Sequence, residues 1–349
     1  MSLKTRKKQV RNPQAGPTLK SVAEHVGLTP GTVSAVLNDS PAARAIPDHT
    51  KERILNAARE LKYRPNFFAR SLRKKRTYTV GVIAEELGDA YGSMVISGIE
   101  KYLRSKDYFF LTVIHRHDAI LLARYESLLL ERGVEGIITV DTSLREAPPV
   151  PTVAVAGHRQ LENVTNIVLD HDRCAYVALS FLKQLGHRKI AFMRGHPNSS
   201  DSAARWDAIC KISRELNIEL DHDLVVQITS LDSTTELGYP FGKELLSRKK
   251  DFTALLAYND ISAIGAMRAF DEAGLKVGRD VSVIGVDDII EAAFSKPSLT
   301  TVRQPLEKMG QIAAETLIER IETEKQFPSD IAIEPELVIR DSTGPVRQS

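Results

Sequence analysis

The stretch TLKSVAEHVGLTPGTVSAVLN, Thr18–Asn38, decides how the chain is read. Thr18 is placed to cap a first helix, in which Leu19, Val22, Ala23 and Val26 recur at helical spacing. Gly27 tolerates the left-handed backbone that a turn between two helices needs. Thr29 is placed to cap a second helix, with Pro30 at its first position, where proline's missing N–H costs nothing. Val33, Val36 and Leu37 make the apolar face of that helix and leave Thr32, Ser34, Ala35 and Asn38 toward the outside. A small residue at 23, glycine at 27 and an apolar residue at 33 suit two helices that cross at close range. The pattern is a helix-turn-helix candidate, with Thr29–Asn38 as the helix that enters a major groove. It also describes an ordinary helical hairpin in a core.

Charge favours the first of these readings. Residues 1–77 hold seventeen Lys and Arg against five Asp and Glu, a surplus of twelve, while the rest of the chain carries ten more acids than bases. A basic head on an acidic body is the footprint of a polyanion-binding module joined to something else. A charge run is commonly just a solvated face, but here it coincides with the two-helix pattern.

The 349 residues have room for two or three domains. No segment approaches the roughly 18 uninterrupted apolar residues of a membrane span. No apolar run follows the N-terminal charges, so no secretory signal is expected. Cys174 and Cys210 sit in no ligand spacing, so neither a disulfide framework nor a zinc site is expected, and no cofactor. A reducing, cytoplasmic setting fits.

Taken outward from the opening stretch, residues 1–17 read as a disordered basic arm, either touching phosphates or keeping the chain soluble. The head spans 18–64. Its Asp39–Pro47 is a loop, and Asp48–Leu61 a third helix whose Ile54, Leu55, Ala58 and Leu61 pack back onto the first two. Residues 65–77 form a connector. Pro65 stops the third helix and Asn66 can cap a short new one, with Phe68 and Leu72 on one face and Arg70, Arg73, Lys74 and Lys75 around them. A helix of about seven residues does not hold alone in water, so it orders only against DNA, a second copy, or both. Basic residues around an exposed leucine have the composition of a minor-groove wedge, and equally of a flexible basic linker.

From Tyr78 the periodicity changes to short apolar runs alternating with amphipathic helices, as in Tyr78–Ile83, Tyr108–Ile114, Val134–Val140, Lys189–Met193 and Val281–Val286. Continuous apolar strands separated by helices mean parallel sheets covered on both faces. The fold expected is an all-α head followed by an α/β body of two lobes. The first lobe takes about 78–171 and 305–327, the second about 172–304 and 328–343. Ligands of open α/β sheets sit beyond the carboxyl ends of the strands, which marks the turns at Glu85–Tyr91, Asp141–Thr142, His158, Asp170, Gly195–Arg205, Tyr258–Asp260, Asp287–Asp288 and Gln304.

Head, connector and body together resemble the family of the lac, purine and catabolite-control repressors. The residues carrying the resemblance are Thr18–Asn38, the segment YRPNFFARSLRKKRTYTVGVI (Tyr63–Ile83), LGHRKIAFM (Leu185–Met193), YNDISAIGAMRAFDEAGLKVGRDVSVIGVDD (Tyr258–Asp288) and LTTVRQP (Leu299–Pro305). The resemblance implies a cytoplasmic homodimer on a near-palindromic double-stranded operator, acting most often as a repressor and switched by a small, sugar-like effector between the lobes. It implies DNA contacts at Thr18, Thr29, Pro30, Gly31, Thr32, Ser34, Ala35, Asn38, Thr50, Asn66, Ala69, Arg70 and Leu72, the last as the intercalating leucine, with Ala69 and Ser71 small enough for paired connector helices to approach. It places an effector site at Arg205, Asn259, Asp287 and Gln304, to which Tyr91, Asp170 and Trp206 are added from the turns and the neighbouring aromatic. Asn259 and Asp287 could equally cap the helices that follow them, and Trp206 could equally be core.

Several positions depart from the family pattern. Pro30, Gly31 and Ala35, where bases are usually read, offer no side-chain hydrogen bond, so direct readout is weaker than the ~1–3 kcal/mol of a bidentate pair. Specificity then leans on methyl contacts, backbone amides and ease of kinking. Ser21 replaces an early Asp, the Asp39–Pro47 loop is about three residues longer, Glu85–Tyr91 replaces a Pro-Asp-type turn, and Cys174 stands where glycine is usual. Against an enzyme, no GxGxxG, phosphate loop or GxSxG elbow occurs. His115, His117 and Asp118 make a weak metal spacing and read better as surface residues. A periplasmic-type sugar receptor without DNA function is the alternative; the basic head speaks against it.

Overall fold

The computed structural model describes residues 16–65, 71–72, 75–88, 90–230, 234, 236–323 and 325–346. Residues 1–15 of the basic arm, and Asn66, Ala69 and Arg70 of the connector, lie outside them. The chain divides into two units, Met1–Thr77 and Tyr78–Ser349.

The first unit is helical. Helix α1 (Leu19–Val26) starts at Thr18, whose hydroxyl accepts from the Ser21 N–H, while the Thr18 N–H donates to Ser21 Oγ at 2.7 Å. Ser21 thus closes a capping box and makes good the missing acid. Gly27 takes φ 64°, and α2 (Pro30–Leu37) follows with Thr29 as its cap. α3 (Asp48–Glu60) buries Ile54, Ala57 and Ala58 against Val22, Ala23, Val26 and Val33. Leu55, expected in that core, is 44% exposed, and Ala57 holds the inner position instead. The expected loop contains a 3-10 turn, Pro41–Ala45, that buries Ala43. Arg53 of α3 donates to the Val26 carbonyl at 2.7 Å and so satisfies an end of α1.

The second unit has twelve strands among the described residues: β1 (Thr79–Ala84), β2 (Phe109–Ile114), β3 (Gly136–Val140), β4 (Thr152–Val155), β5 (Val164–Leu169), β6 (Ile190–Arg194), β7 (Val225–Gln227), β8 (Ala254–Leu256), β9 (Ser282–Asp287), β10 (Thr300–Arg303), β11 (Asp330–Ile333) and β12 (Glu336–Val338). They form two six-stranded sheets, ordered β11-β5-β4-β3-β1-β2 and β12-β10-β9-β8-β6-β7. The first is wholly parallel; in the second only β12 runs antiparallel, on β10. Central strands such as β1 and β9 are buried along their whole length, as sheets covered on both faces require.

The first lobe packs Val95, Ile99 and Leu103 of helix Ala90–Ser105 with Met309, Ala313 and Leu317 of helix Leu306–Thr323 onto one sheet face. The two helices touch backbone to backbone. A Cβ on Gly98 would lie 1.9 Å from the Glu307 carbonyl oxygen, and one on Gly310 would lie 2.0 Å from that of Val95. In the second lobe, Leu179 and Ile212 cover one face, while Leu245 and Phe270 cover the other. The boundary expected at 328 is corrected: β11 pairs in parallel with β5, so Asp330–Ile333 belongs to the first lobe and the chain returns to the second just before β12. The short β10 and β11, one beside Pro305 and the other between polar residues, carry too few apolar residues to stand out in the sequence. Among the described residues no helix is long and apolar enough to cross a membrane.

Candidate functional site

In the head, α2 presents Pro30 and Gly31 exposed and Thr32 and Ala35 half-buried. Thr29 Oγ1 lies 2.9 Å from Thr32 Oγ1 and accepts from the Thr32 N–H. Ser34, expected on the outside, is buried at 8% exposure, and Asn38 Nδ2 donates to its carbonyl (2.8 Å) and hydroxyl (3.2 Å) oxygens. The reason is helical geometry: position 34 follows buried Val33 by 100° and falls at the edge of the core face. Asn38 therefore acts first as the C-terminal cap of α2. Thr18 and Thr50 are near the starts of α1 and α3, exposed and half-exposed. Leu72 is 81% exposed.

In the body, a cleft opens at the carboxyl ends of the strands. Glu85, Glu86, Tyr91 and Asp141 line it from the first lobe; Arg205, Tyr258, Asn259 and Asp287 line it from the second. Its centre is a buried ion pair. Arg205 Nη2 donates to Asp201 Oδ2 at 2.7 Å, Nη1 donates to the Tyr258 carbonyl, and the guanidinium stacks 4.7 Å from the Tyr258 ring. Both charged residues lie on helix Ser200–Glu215, one turn apart. Burial works to raise the Asp201 carboxyl, but Arg205 and the neighbouring His171 and His158 outweigh it and hold the group well below the usual carboxylate range. Asp201 Oδ1 accepts from His158 Nε2 at 3.0 Å, and His171 Nε2 lies 3.3 Å away.

Asp287 ends β9 with φ 118° and accepts from Gln304 Nε2 at 2.6 Å. Burial raises its carboxyl well above the ordinary value; Arg205 opposes this, and Asp260 and Asp201 add to it. Asp260, fully buried, accepts from Thr301 Oγ1 (2.5 Å) and the Ile289 N–H (2.9 Å). Burial pushes its carboxyl up to about 7 against those two hydrogen bonds. Burial likewise pushes the Cys174 thiol up to about 12, so this residue is an inert packing group.

Of the seven expected effector residues, Tyr91, Arg205, Asn259 and Asp287 meet at the cleft. Asn259 also caps helix Asp260–Glu272 with Ser262, while Asp287 caps nothing that follows, because the next helix, Ile290–Phe294, has Ile289 at its N-cap and no side-chain cap. Gln304 acts through Asp287. Neither Gln304 nor the remaining two line the cleft. Asp170 caps helix His171–Gln184 by accepting from the Arg173 N–H. Trp206 packs edge-on to Phe192 at 6.0 Å and under Arg194 at 4.7 Å, as part of the second lobe's core. His115, expected at the surface, is instead buried with Nε2 3.0 Å from Thr142 Oγ1, while His117 faces Glu85 at 2.6 Å and Asp118 caps helix Ala119–Glu131. Asp201 was absent from the expected set; its only sequence signal was the four-residue spacing to Arg205.

Residues 18–66 match the family described as bacterial regulatory proteins, lacI family, and residues 179–343 match a periplasmic binding protein-like domain. The chain is 31% identical over 341 residues to the HTH-type transcriptional repressor PurR of Yersinia enterocolitica, covering 95% of this chain and 98% of that one. It is similar in fold to the lac repressor dimer bound to operator and the anti-inducer ONPF (TM-score 0.85, 25% identity, 95% of this chain and 100% of that one). It is also similar to the transcriptional regulator CelR–cellobiose complex (TM-score 0.68, 28% identity, 93% and 99%). The chain belongs to the lacI family of bacterial regulatory proteins, and is a DNA-binding transcriptional regulator with an effector-binding body.

Proposed function

We propose that this regulator is a cytoplasmic repressor that holds an operator as a homodimer and responds to an uncharged, hydroxyl-rich effector. The observation that carries the effector class is the charge state of the cleft. The guanidinium that would recognise an anion is already neutralised by Asp201, at 2.7 Å on its own helix. Around it stand the carboxyl groups of Glu85, Glu86 and Asp141. A phosphate or carboxylate entering here meets repulsion and must first displace a buried partner, which costs several kcal/mol. Hydroxyls, by contrast, donate well to carboxylates, and Asn259 and Tyr258 supply further donors and acceptors. The similar structures support the wider reading: a repressor on an operator, and a regulator holding cellobiose.

On DNA, exposed Thr18, Thr29, Pro30, Gly31 and the half-buried Thr32, Ala35 and Thr50 meet the duplex, with Leu72 as the wedge. A helix as short as the one expected from the connector's sequence orders only against a partner, which would suit it to switching. Effector and operator then alter each other's affinity by one factor, typically ~1–3 kcal/mol. A thermal-shift panel of neutral sugars, nucleobases, sugar acids and sugar phosphates tests the class, followed by operator binding with each hit. Neutral sugars raising Tm while their acids and phosphates do not is the expected result. A hit confined to the phosphates or acids would refute it.

A further inference from the structure

At the cleft, two imidazoles, from His158 and His171, converge on one carboxylate oxygen of Asp201. The nitrogens of His158 and His171 and an oxygen of Asp201 lie within 4.8 Å of each other. The three side chains are 12%, 9% and 11% exposed. The two rings stand 5.1 Å apart, tilted by 39°. His158 Nε2 is 3.0 Å and His171 Nε2 is 3.3 Å from the same oxygen, Asp201 Oδ1, and these are the spacings of neighbouring ligands around a small tetrahedral ion. His171 is the telling member. Its side chain is nine-tenths buried, yet Nδ1 has no hydrogen-bond partner and Nε2 meets the Asp201 carboxylate only at 3.3 Å. A buried polar nitrogen left in that state costs free energy unless something occupies it.

We propose that His158, His171 and Asp201 bind a divalent transition-metal ion of the zinc class. The donor set, two imidazole nitrogens and one carboxylate oxygen, suits zinc and disfavours magnesium or calcium, which prefer oxygen alone. Arg205 engages the other oxygen, Oδ2, and so orients the carboxylate without competing for Oδ1. Asp141, on the adjoining cleft wall, offsets part of the charge that the ion adds to Arg205. A fourth position remains for water.

The ligands come from both lobes. His158 follows β4 of the first sheet, whereas His171 opens a helix packed in the second lobe and Asp201 lies on another. An ion here ties the lobes together, so its binding favours whichever lobe arrangement brings these three groups into contact. The ion would share Asp201 with Arg205, so the effector class proposed above is that of the metal-free cleft.

The test is titration of the full-length, chelator-treated protein with Zn²⁺ by calorimetry, with bound metal counted by elemental analysis. One tightly bound Zn²⁺ per chain is expected, accompanied by a rise in Tm, with no response to Mg²⁺ at equal concentration. The double variant His158→Ala/His171→Ala should lose the site, weakening binding at least tenfold, while seven other histidines remain. Asp201 is left intact so that Arg205 keeps its partner, and circular dichroism reports whether the variant folds. As a second measurement that needs no variant, Co²⁺ in the wild-type chain should give the intense visible absorption of a four-coordinate site. No stoichiometric Zn²⁺, undiminished affinity in a folded double variant, or only the weak spectrum of six-coordinate Co²⁺ would each overturn the proposal.

Discussion

Asp201→Asn should be among the most damaging single changes in the body, although it removes one charge and almost no volume. Arg205 is 6% and Asp201 8% exposed, so the substitution strands a guanidinium out of water. It also exchanges an acceptor-only oxygen for an amide that presents hydrogens to Arg205 or to His158. Breaking a buried pair by removing one partner costs about 3–5 kcal/mol, chiefly the penalty of the charge left behind. For a body of this size, each kcal/mol lowers Tm by roughly 2–4 °C, so the loss is on the order of 10 °C. Arg205→Met should cost less, because Asp201 keeps the two imidazoles of His158 and His171 at 3.0 and 3.3 Å. The double variant should recover much of the deficit, since neither charge then remains to be solvated. The assay is urea denaturation of wild type, both singles and the double, followed by tryptophan fluorescence from Trp206 and kept free of metal by chelator. A coupling energy of about 2 kcal/mol or more is expected across the cycle. If Asp201→Asn costs under about 1 kcal/mol, or the two changes simply add, the ion pair is solvated and the argument that the cleft rejects anions falls with it.

Leu72→Ala should leave the Tm unchanged, since the side chain is 81% exposed in the free chain, yet weaken operator binding by roughly 10- to 100-fold, the worth of one buried leucine. Equal affinity and equal DNA bending by gel shift would remove the wedge. Operator affinity should also fall steeply and linearly in log–log form with salt, as contacts to several phosphates require; a flat response in fluorescence anisotropy contradicts the basic-head reading. Asp260 gives a pH signature. Its carboxyl is raised by burial from 3.8 to about 7, so the stability linked to its protonated form is present below about 4 and lost as pH rises through about 7. Asp287 is displaced in the same direction. Asp260→Asn should flatten the fall in unfolding free energy between those values, and an unchanged pH profile would show that the carboxyl is ionised throughout. Gly98→Ala should destabilise the first lobe by more than ~1–3 kcal/mol, because the added methyl meets backbone, the Glu307 carbonyl at 1.9 Å, and no rotamer can relieve it; a wild-type melting curve would refute the close packing.

What the sequence made legible followed from rules that act over a few residues. Thr18, Gly27, Thr29 and Pro30 fix the ends of two helices through capping, left-handed backbone and proline's missing donor, and each does so as expected. The alternation of apolar runs with helices gave two parallel sheets, and the turns after the strands gave the neighbourhood of the cleft. The errors have a common cause. Leu55 and Ser34 sit at the edges of helical faces, where a rotation of a few tens of degrees decides burial and the 3.6-residue period cannot. Asp330–Ile333 joins the first sheet because β5 offers an edge more than 150 residues earlier, a fact absent from its own composition. Asp170, Trp206 and Asp201 were misjudged for a stronger reason. A turn residue can face the ligand or cap the next helix, and an aromatic beside Arg205 can stack on a sugar or on Phe192; both alternatives satisfy every local rule. The choice depends on which groups are already satisfied in the folded chain. In this cleft that is also what selects the ligand: an arginine alone would invite an anion, but the same arginine with Asp201 in its fork leaves a polar, net acidic surface for which hydroxyl groups are the fitting partners.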